Sequence, residues 1–338
     1  MKILNKIGFV YKNYFEQRLG IDFGTSSVKI SCPIRGLLVD EPSVIIVNGS
    51  DVVAVGKEAD EMVAKIPSYY RVIYPIKNGL IYDFDAAEIM MEYFFKKVYK
   101  NHKNKIFRPS PKIVLAHGTN TTPIQEKNLK ELFLKLGASS VYFISQTVAA
   151  AIGADIDIEK KESTFLFNIG SGTSELLIIS GGNIIESKII NNAGIYLTKS
   201  IKEIIFQKEK LQISFKTAER LKINYGDLSL SNNNEDIKII GQDKFMNIPK
   251  EITIKAKNIN QAINYNFKFI FEEFMKIIDK INPDIAEDLY KNGMYILGGS
   301  SDLEGLDSYV SKLLNIKVKK FKNPRMLSVQ GCVKIIGE

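Results

Sequence analysis

Two stretches of the chain share one pattern of apolar and small polar positions. Residues 165–179 have the sequence Phe-Leu-Phe-Asn-Ile-Gly-Ser-Gly-Thr-Ser-Glu-Leu-Leu-Ile-Ile, which is two apolar runs joined by a short glycine-rich turn. This pattern predicts a strand, a tight turn and a second strand. Taken alone, it is also typical of an ordinary hairpin that binds nothing.

Residues 19–30 repeat this pattern near the start of the chain. An apolar run leads to Asp22, a turn follows at Gly24, and a second run leads away; Asn168 takes the place of Asp22 in the later copy. Two such hairpins indicate an internal duplication. Glycine lets successive amide groups point into one concavity that suits a phosphate. Two hairpins facing each other across a cleft could therefore hold the phosphates of a nucleotide, with carboxylates such as Asp22 orienting magnesium-bound water.

Outside the hairpins, segments with the helical period alternate with short strand patterns. This alternation predicts an α/β fold with layered sheets. A late strand at 294–297 runs into a glycine-rich turn at 298–301, which permits close approach to a phosphate-bearing ligand. Helices are predicted at residues 57–65, 86–100, 125–136, 147–154, 195–206, 216–225 and 258–280.

Composition excludes several classes of protein. The chain has 338 residues, 45% hydrophobic and 25% charged, as expected of a globular protein with two substantial cores. Cys32 and Cys332 fit no metal-binding spacing and are expected to be reduced packing residues. His102 and His117 lie outside any cysteine-rich or carboxylate-rich cluster, so neither a metal centre nor a histidine-activated nucleophile is expected. Because the chain has no apolar run of transmembrane length and no signal peptide, we expect an intracellular protein.

The net charge of +8 is concentrated in one segment. Residues 96–112 contain seven basic residues and no acidic one, so removing these seven would leave a net charge of +1. Basic residues near an anionic membrane contribute about 1 kcal/mol each, and an inserted aromatic ring adds apolar burial. We predict a membrane-binding loop, since a nucleic-acid site would interleave aromatic rings as stacking platforms. The residues of this loop are Ile106 and Phe107, flanked by Lys103, Lys105 and Arg108.

The first 15 residues form a second candidate for membrane contact. They place apolar side chains at helical spacing with lysines among the other positions. Such an amphipathic segment predicts either a first helix packed against its own domain or an anchor lying in the membrane interface. The sequence leaves both interpretations open.

The chain contains, in this order, the two hairpins, a Glu-x-x-Lys helix at Glu219 and Lys222, and a late Gly-Gly turn. The order and spacing of these motifs resemble those of the superfamily of actin, DnaK-type chaperones and sugar kinases. The resemblance is closest to MreB, the bacterial actin, and covers nearly everything from residue 19 onward. The chain is identified as a divergent member of this family. Supporting segments are Asp-Glu-Pro-Ser-Val at 40–44, Ala-Val-Gly-Lys-Glu-Ala at 54–59, Pro-Ile-Lys-Asn-Gly-Leu-Ile-Tyr-Asp-Phe-Asp at 75–85 and Ala-Ala-Ala-Ile-Gly-Ala at 149–154.

The resemblance implies an actin-like ATPase fold, in which two duplicated α/β domains, four subdomains in all, surround a cleft that holds ATP and Mg2+. It implies protomers that stack head to tail into filaments. In MreB two filaments run antiparallel and bind the inner membrane leaflet through an apolar loop, and sometimes through an N-terminal amphipathic helix. The implied division is an amphipathic segment at 1–18, subdomain IA at 19–36, 73–146 and 320–338, subdomain IB at 37–72, subdomain IIA at 147–195 and 255–319, and subdomain IIB at 196–254.

The resemblance also assigns the site residues by position. The two hairpins would meet the phosphates from opposite sides, Glu219 and Lys222 would line the ribose and adenine, and the turn at 298–301 would close over the nucleotide. Catalytic positions would be Gln146, Asn168 and Thr173. The nucleotide-binding residues would be Asp22, Gly24, Thr25, Ser26, Ser27, Gly170, Ser171, Gly172, Thr173, Gly194, Glu219, Lys222, Gly298, Gly299, Ser300 and Ser301, with Asp22 holding magnesium through water.

Four positions depart from the family pattern. Gln146 falls where MreB has its water-activating glutamate, and a glutamine can orient water but cannot accept its proton. Asn168 replaces the aspartate that opens the second hairpin, which removes a negative charge from the magnesium-water shell. Ala193-Gly194-Ile195 stands for the usual Gly-Gly-Asp, and Ser27 stands for an asparagine. Together these changes predict nucleotide binding with slow or negligible hydrolysis.

The sequence therefore predicts a membrane-associated, ATP-binding filament protein for cell shape or motility, with weak ATPase activity at most. Its expected partners are further copies of itself, sister MreB-like proteins and anionic lipids, but not nucleic acid, and its expected location is the cytoplasmic face of the cell membrane. Two alternatives remain: a filament modulator that does not assemble alone, and a soluble ATPase or phosphotransferase of the same superfold.

Overall fold

A computed structural model describes residues 17–100, 110–229 and 234–337. They divide into two compact units, Met1–Ile156 with Met326–Glu338 (unit 1) and Asp157–Arg325 (unit 2). In chain order the strands are β1 Arg18–Phe23, β2 Ser27–Cys32, β3 Gly36–Pro42, β4 Ile45–Asn48, β5 Asp51–Val55, β6 Arg71–Ile73, β7 Ile76–Lys77, β8 Leu80–Ile81, β9 Lys112–His117, β10 Ser140–Ser145, β11 Thr164–Ile169, β12 Ser174–Ser180, β13 Asn183–Ile190, β14 Leu211–Gln212, β15 Asp236–Asp243, β16 Pro249–Lys255, β17 Met294–Leu297 and β18 Val318–Lys319.

Each unit is built on a five-stranded sheet with the same strand order. In unit 1 the order is β3-β2-β1-β9-β10, and in unit 2 it is β13-β12-β11-β17-β18. In both sheets the central hairpin is antiparallel, and its first strand runs parallel to a strand that arrives much later in the chain. This identity of strand order is the duplication that the two sequence hairpins predicted.

Ten α-helices accompany the sheets in the described residues, and their starts follow from local sequence. Thr122 and Gln125 form a reciprocal capping box, and the Asp83 side chain accepts a hydrogen bond from the backbone N–H of Ala86. The helices are α1 Lys57–Met62, α2 Phe84–Tyr99, α3 Pro123–Lys135, α4 Gln146–Gly153, α5 Gly194–Glu209, α6 Phe215–Tyr225, α7 Ala256–Ile278, α8 Pro283–Asn292, α9 Leu306–Leu314 and α10 Leu327–Gly337.

Helices α4 and α10 pack backbone to backbone in unit 1. A Cβ added at Gly331 would lie 1.8 Å from the Ala149 carbonyl oxygen, and one added at Gly153 would lie 2.0 Å from the Leu327 carbonyl oxygen. Only glycine permits so close an approach. The small-residue segment at 149–154 thus serves a helix contact that places the start of α4 beside β1 and β9.

Each unit also carries a three-stranded sheet, β5-β4-β6 in unit 1 and β14-β15-β16 in unit 2. The predicted domain limits differ from the compact units. The units divide at 156/157 and 325/326, whereas the prediction placed the division at 146/147 and 319/320. Helix α4 belongs to unit 1 because it packs on α10, and β3 extends the large sheet although the prediction assigned residues 37–42 to a small subdomain.

The cysteine prediction is confirmed, since Cys32 and Cys332 are both buried and neither forms a disulfide. Burial raises the pKa of the Cys332 thiol far above its ordinary value, so the thiol is protonated and unreactive.

Two predicted features lie outside the described residues: the N-terminal amphipathic segment up to residue 16, and the loop containing Lys103, Lys105, Ile106, Phe107 and Arg108. None of the helices within the described ranges is long and apolar enough to cross a membrane.

Candidate functional site

The turn of the first hairpin is fixed by contacts within unit 1. The Thr25 hydroxyl oxygen accepts a hydrogen bond from the backbone N–H of Gly79 at 2.8 Å. The Ser43 hydroxyl donates to the carbonyl oxygen of Gly24, also at 2.8 Å. Segments that are distant in sequence therefore hold the loop of residues 24–26 in shape, which is the preorganisation that a phosphate loop needs.

Asp22 is the centre of a buried polar cluster at this hairpin. Its Oδ1 accepts a hydrogen bond from Nε2 of Gln146 at 2.6 Å, and its Oδ2 lies 3.5 Å from the Lys29 ammonium. The same ammonium donates to the Ser27 hydroxyl oxygen at 2.8 Å. The structure thus brings together three predicted site residues, Asp22, Ser27 and Gln146, and adds Lys29, which the prediction missed.

The turn of the second hairpin is tied to the start of α5 and to the late glycine turn, all within unit 2. The backbone N–H of Gly194 donates to Gly170 O at 3.2 Å, and that of Ile195 donates to Ser171 O at 2.8 Å. The Ser300 hydroxyl also donates to Gly170 O, at 2.9 Å. Three segments predicted separately, at 170–173, 194–195 and 298–301, therefore form one cluster.

Lys222 connects α6 to the same cluster. Its ammonium donates to Gly194 O and Thr198 Oγ1 at 3.0 Å each, and to Glu219 Oε2 at 2.8 Å. An ammonium has three protons, and all three have acceptors here. Lys222 therefore holds α5 and α6 together in this conformation. Of the Lys222–Glu219 ion pair, Glu219 is the more accessible residue, because its side chain is 36% exposed.

Asn168 is buried near the end of β11, directly opposite Glu175 on β12. Gly298 lies beside it with φ +83°, and a Cβ at Gly298 would come within 2.4 Å of Asn168 Oδ1. Only glycine satisfies both conditions.

Sequence reasoning missed Lys29 and Glu175, although a signal for both was present. Each is the single charged residue of its exit strand, and each lies directly opposite the first polar residue of its hairpin, Asp22 or Asn168. The two hairpins therefore differ in charge: the first pairs a carboxylate with an ammonium, and the second pairs an amide with a carboxylate.

The described side chains do not fit a magnesium-water shell held by two carboxylates. Both oxygens of Asp22 already have protein partners, and the equivalent position in unit 2 is the neutral Asn168. Within residues 17–100, 110–229 and 234–337, no three His, Cys, Asp or Glu side chains are grouped so that they could hold a metal ion.

Comparison with known families identifies this arrangement. The family model described as MreB/Mbl protein matches residues 16–338. The chain belongs to the MreB/Mbl family. The family assignment made from the hairpins and their supporting segments is therefore confirmed.

Relatives and solved structures of the MreB/Mbl family agree with this assignment. The cell shape-determining protein Mbl of Bacillus subtilis is 32% identical over 312 residues, which cover 92% of each chain. The crystal structure of MreB5 of Spiroplasma citri bound to AMPPNP superposes with a TM-score of 0.88 at 27% identity and covers 95% of both chains. The ADP-bound form of MreB5 gives the same TM-score at 28% identity. The predicted actin-like α/β fold is thereby confirmed.

Proposed function

We propose that this MreB/Mbl-family chain binds ATP and assembles head to tail into actin-like filaments that serve cell shape or motility. The observation that carries the proposal is the repeated architecture, in which each unit presents a glycine-rich hairpin turn held rigid by its neighbours. Each turn suits a phosphate group, and residues of the two turns would contact the nucleotide. Thr25, Ser26 and Ser27 would do so from unit 1, and Gly170, Ser171, Gly172 and Thr173 from unit 2.

The relatives support the choice of ligand and role. MreB5 of Spiroplasma citri binds AMPPNP and ADP, and we transfer nucleotide binding to this chain on that basis. The role in cell shape is transferred from Mbl of Bacillus subtilis. Family membership supports our proposal that the chain assembles with further copies of itself and with sister MreB-like proteins.

We further propose that ATP hydrolysis is slow. The Gln146 side chain is neutral and cannot accept a proton from the attacking water, and its Nε2 already donates to Asp22. Asn168 is an amide, so the second hairpin lacks the carboxylate that opens it in the family pattern. The nucleotide would therefore act mainly as a structural ligand that stays bound.

We also place the filament at the cytoplasmic face of the membrane. The support is the sequence of the 96–112 segment, where seven basic residues surround Ile106 and Phe107. Anionic lipid supplies both the charge and the apolar interior that this combination needs.

Phosphate release measured together with sedimentation tests the proposal. The purified chain is incubated with ATP, with ADP or without nucleotide, in the presence or absence of anionic vesicles, and both released phosphate and pelleted protein are quantified. We expect ATP-dependent pelleting, enhanced by the vesicles, with phosphate release far slower than that of Mbl of Bacillus subtilis assayed in parallel.

Each part of the proposal can fail separately. Phosphate release as fast as that of Mbl would refute the slow hydrolysis. Nucleotide binding without pelleting under any condition would favour the filament modulator or the soluble ATPase over a filament protein.

A further inference from the structure

The pairing of Lys29 with Asp22 is built into the first hairpin. The two residues are directly opposite each other in the β1–β2 register, so both side chains project from the same face of the sheet. Their side chains are only 7% and 5% exposed, with Nζ and Oδ2 3.5 Å apart. A buried charge pair of this kind persists because loss of either partner leaves an uncompensated charge.

Two further groups, on β3 and α4, lie next to the pair. Lys29 lies between Asp22 on β1 and the half-buried Asp40 on β3 in the register of the sheet. Gln146 donates to the second oxygen of Asp22. The carboxylate that would orient magnesium-bound water therefore has one cationic and one amide partner, and its charge is balanced by the protein itself.

Lys29 also contacts Ser27, which directly follows the loop of residues 24–26. Its ammonium donates to the oxygen of the Ser27 hydroxyl. A hydroxyl has one proton, which this contact leaves available for donation to another acceptor. A phosphate oxygen beside the loop of residues 24–26 is a negatively charged acceptor for this proton.

We propose that Lys29 is the resident counter-charge of the nucleotide site and that this chain binds ATP almost independently of magnesium. The inference rests on the proposed ATP binding. A polyphosphate placed beside an unpaired buried carboxylate is repelled unless a cation lies between them. In this chain the cation is the Lys29 ammonium, which belongs to β2. The Asp22 carboxylate therefore stays neutralised when the divalent ion is removed.

Calorimetric titration of ATP into the full chain, in excess magnesium and in excess EDTA, tests the proposal. We expect the wild-type Kd to change by less than about threefold between the two media. Lys29→Met removes the ammonium and should bind at least about tenfold more weakly in EDTA than in magnesium. Lys29→Arg keeps the charge and should retain the small magnesium dependence, whereas the exposed-site control Lys161→Met should behave as wild type.

A second variant tests the proposal in case Lys29→Met does not fold. The double variant Asp22→Asn with Lys29→Met removes both charges at once, leaves no buried ion, and should again bind ATP with little dependence on magnesium. Circular dichroism and the thermal midpoint report the fold of each variant.

The outcomes separate the inference from the function on which it rests. Wild-type binding that weakens at least about tenfold in EDTA overturns the inference while leaving ATP binding intact. Equal, small magnesium dependence in wild type and Lys29→Met overturns the role of Lys29. Absence of ATP binding in both media overturns the proposed function itself.

Discussion

At the scale of single residues, the main feature of the molecule is that neutral amides replace carboxylates at two positions expected to take part in ATP hydrolysis. Gln146 and Asn168 are both amides, and the structure places Gln146 against the Asp22 carboxylate. An amide donating to a carboxylate is a stable arrangement, whereas a glutamate there would face a like charge. The sequence change and the local geometry are therefore consistent with each other.

Restoring the carboxylates should restore turnover. We expect Gln146→Glu combined with Asn168→Asp to raise phosphate release at least about tenfold, since a general base contributes about 100- to 10,000-fold in favourable cases. Gln212→Glu, at the exposed position of β14, adds a carboxylate elsewhere and should leave the rate unchanged. An unaltered rate in the double variant would show that other residues limit hydrolysis.

Lys222 offers a second test at this scale. Replacing it by Met leaves Gly194 O, Thr198 Oγ1 and Glu219 without their shared donor. We expect a loss of about 1–3 kcal/mol in the free energy of unfolding, measured by urea denaturation. Arg220→Met, an exposed change on the same helix, should stay within about 0.5 kcal/mol. Equal stability of the two variants would contradict a structural role for Lys222.

At the scale of elements, the contact between α4 and α10 positions Gln146 at the start of α4. Gly331→Ala would place a methyl group 1.8 Å from the Ala149 carbonyl oxygen, so the helices must separate. We expect a cost of about 3 kcal/mol, at the upper end of overpacking effects, seen as a lowered thermal midpoint. Gly337→Ala in the same helix meets no atom within 4 Å and should be neutral or slightly stabilising. Similar midpoints for the two variants would disprove the close contact.

The turn between β15 and β16 predicts a pH effect. Hydrogen bonds from the backbone N–H of Met246, from the Lys250 ammonium and from the backbone N–H of Phe245 lower the pKa of Asp243 to about 2 from an ordinary 3.8. A carboxyl whose pKa is depressed by folding stabilises the folded state above its unfolded pKa, and this stabilisation is lost as pH falls through the folded value. The stability deficit of Asp243→Asn should therefore be present at pH 7 and disappear between about pH 4 and pH 2. A deficit independent of pH would contradict this.

At the scale of the whole molecule, the membrane proposal predicts a localised anchor. Replacing Ile106 and Phe107 with Ser should reduce binding to anionic vesicles by more than tenfold, since each apolar side chain contributes about 1.5–3 kcal/mol when buried. Ile240→Ser with Phe245→Ser changes an exposed Ile and Phe of unit 2 and should leave vesicle binding unchanged. Unchanged binding in the first variant would instead assign the anchor to residues 1–15.

Much of the fold was predictable because its signals are local. The helix predicted at 86–100 is observed at Phe84–Tyr99, and the one at 216–225 at Phe215–Tyr225, since the apolar period and the capping residues lie within each segment. Helix α10 was not predicted, because its internal Gly331 lowers helix propensity and only packing on α4 accounts for it.

The sequence by itself determined the two hairpins, the alternation of strands and helices, the family and the residue types at the site, because each depends on neighbours a few positions away. Tertiary structure decided which side chains meet. Asp22 and Gln146 are 124 residues apart, and Lys29 joins them only because the register of β1 and β2 places it opposite Asp22. Such contacts depend on strand order and helix packing, which no local pattern specifies. The structure therefore shows that Asp22, which the sequence predicted to hold magnesium through water, is one half of a buried ion pair.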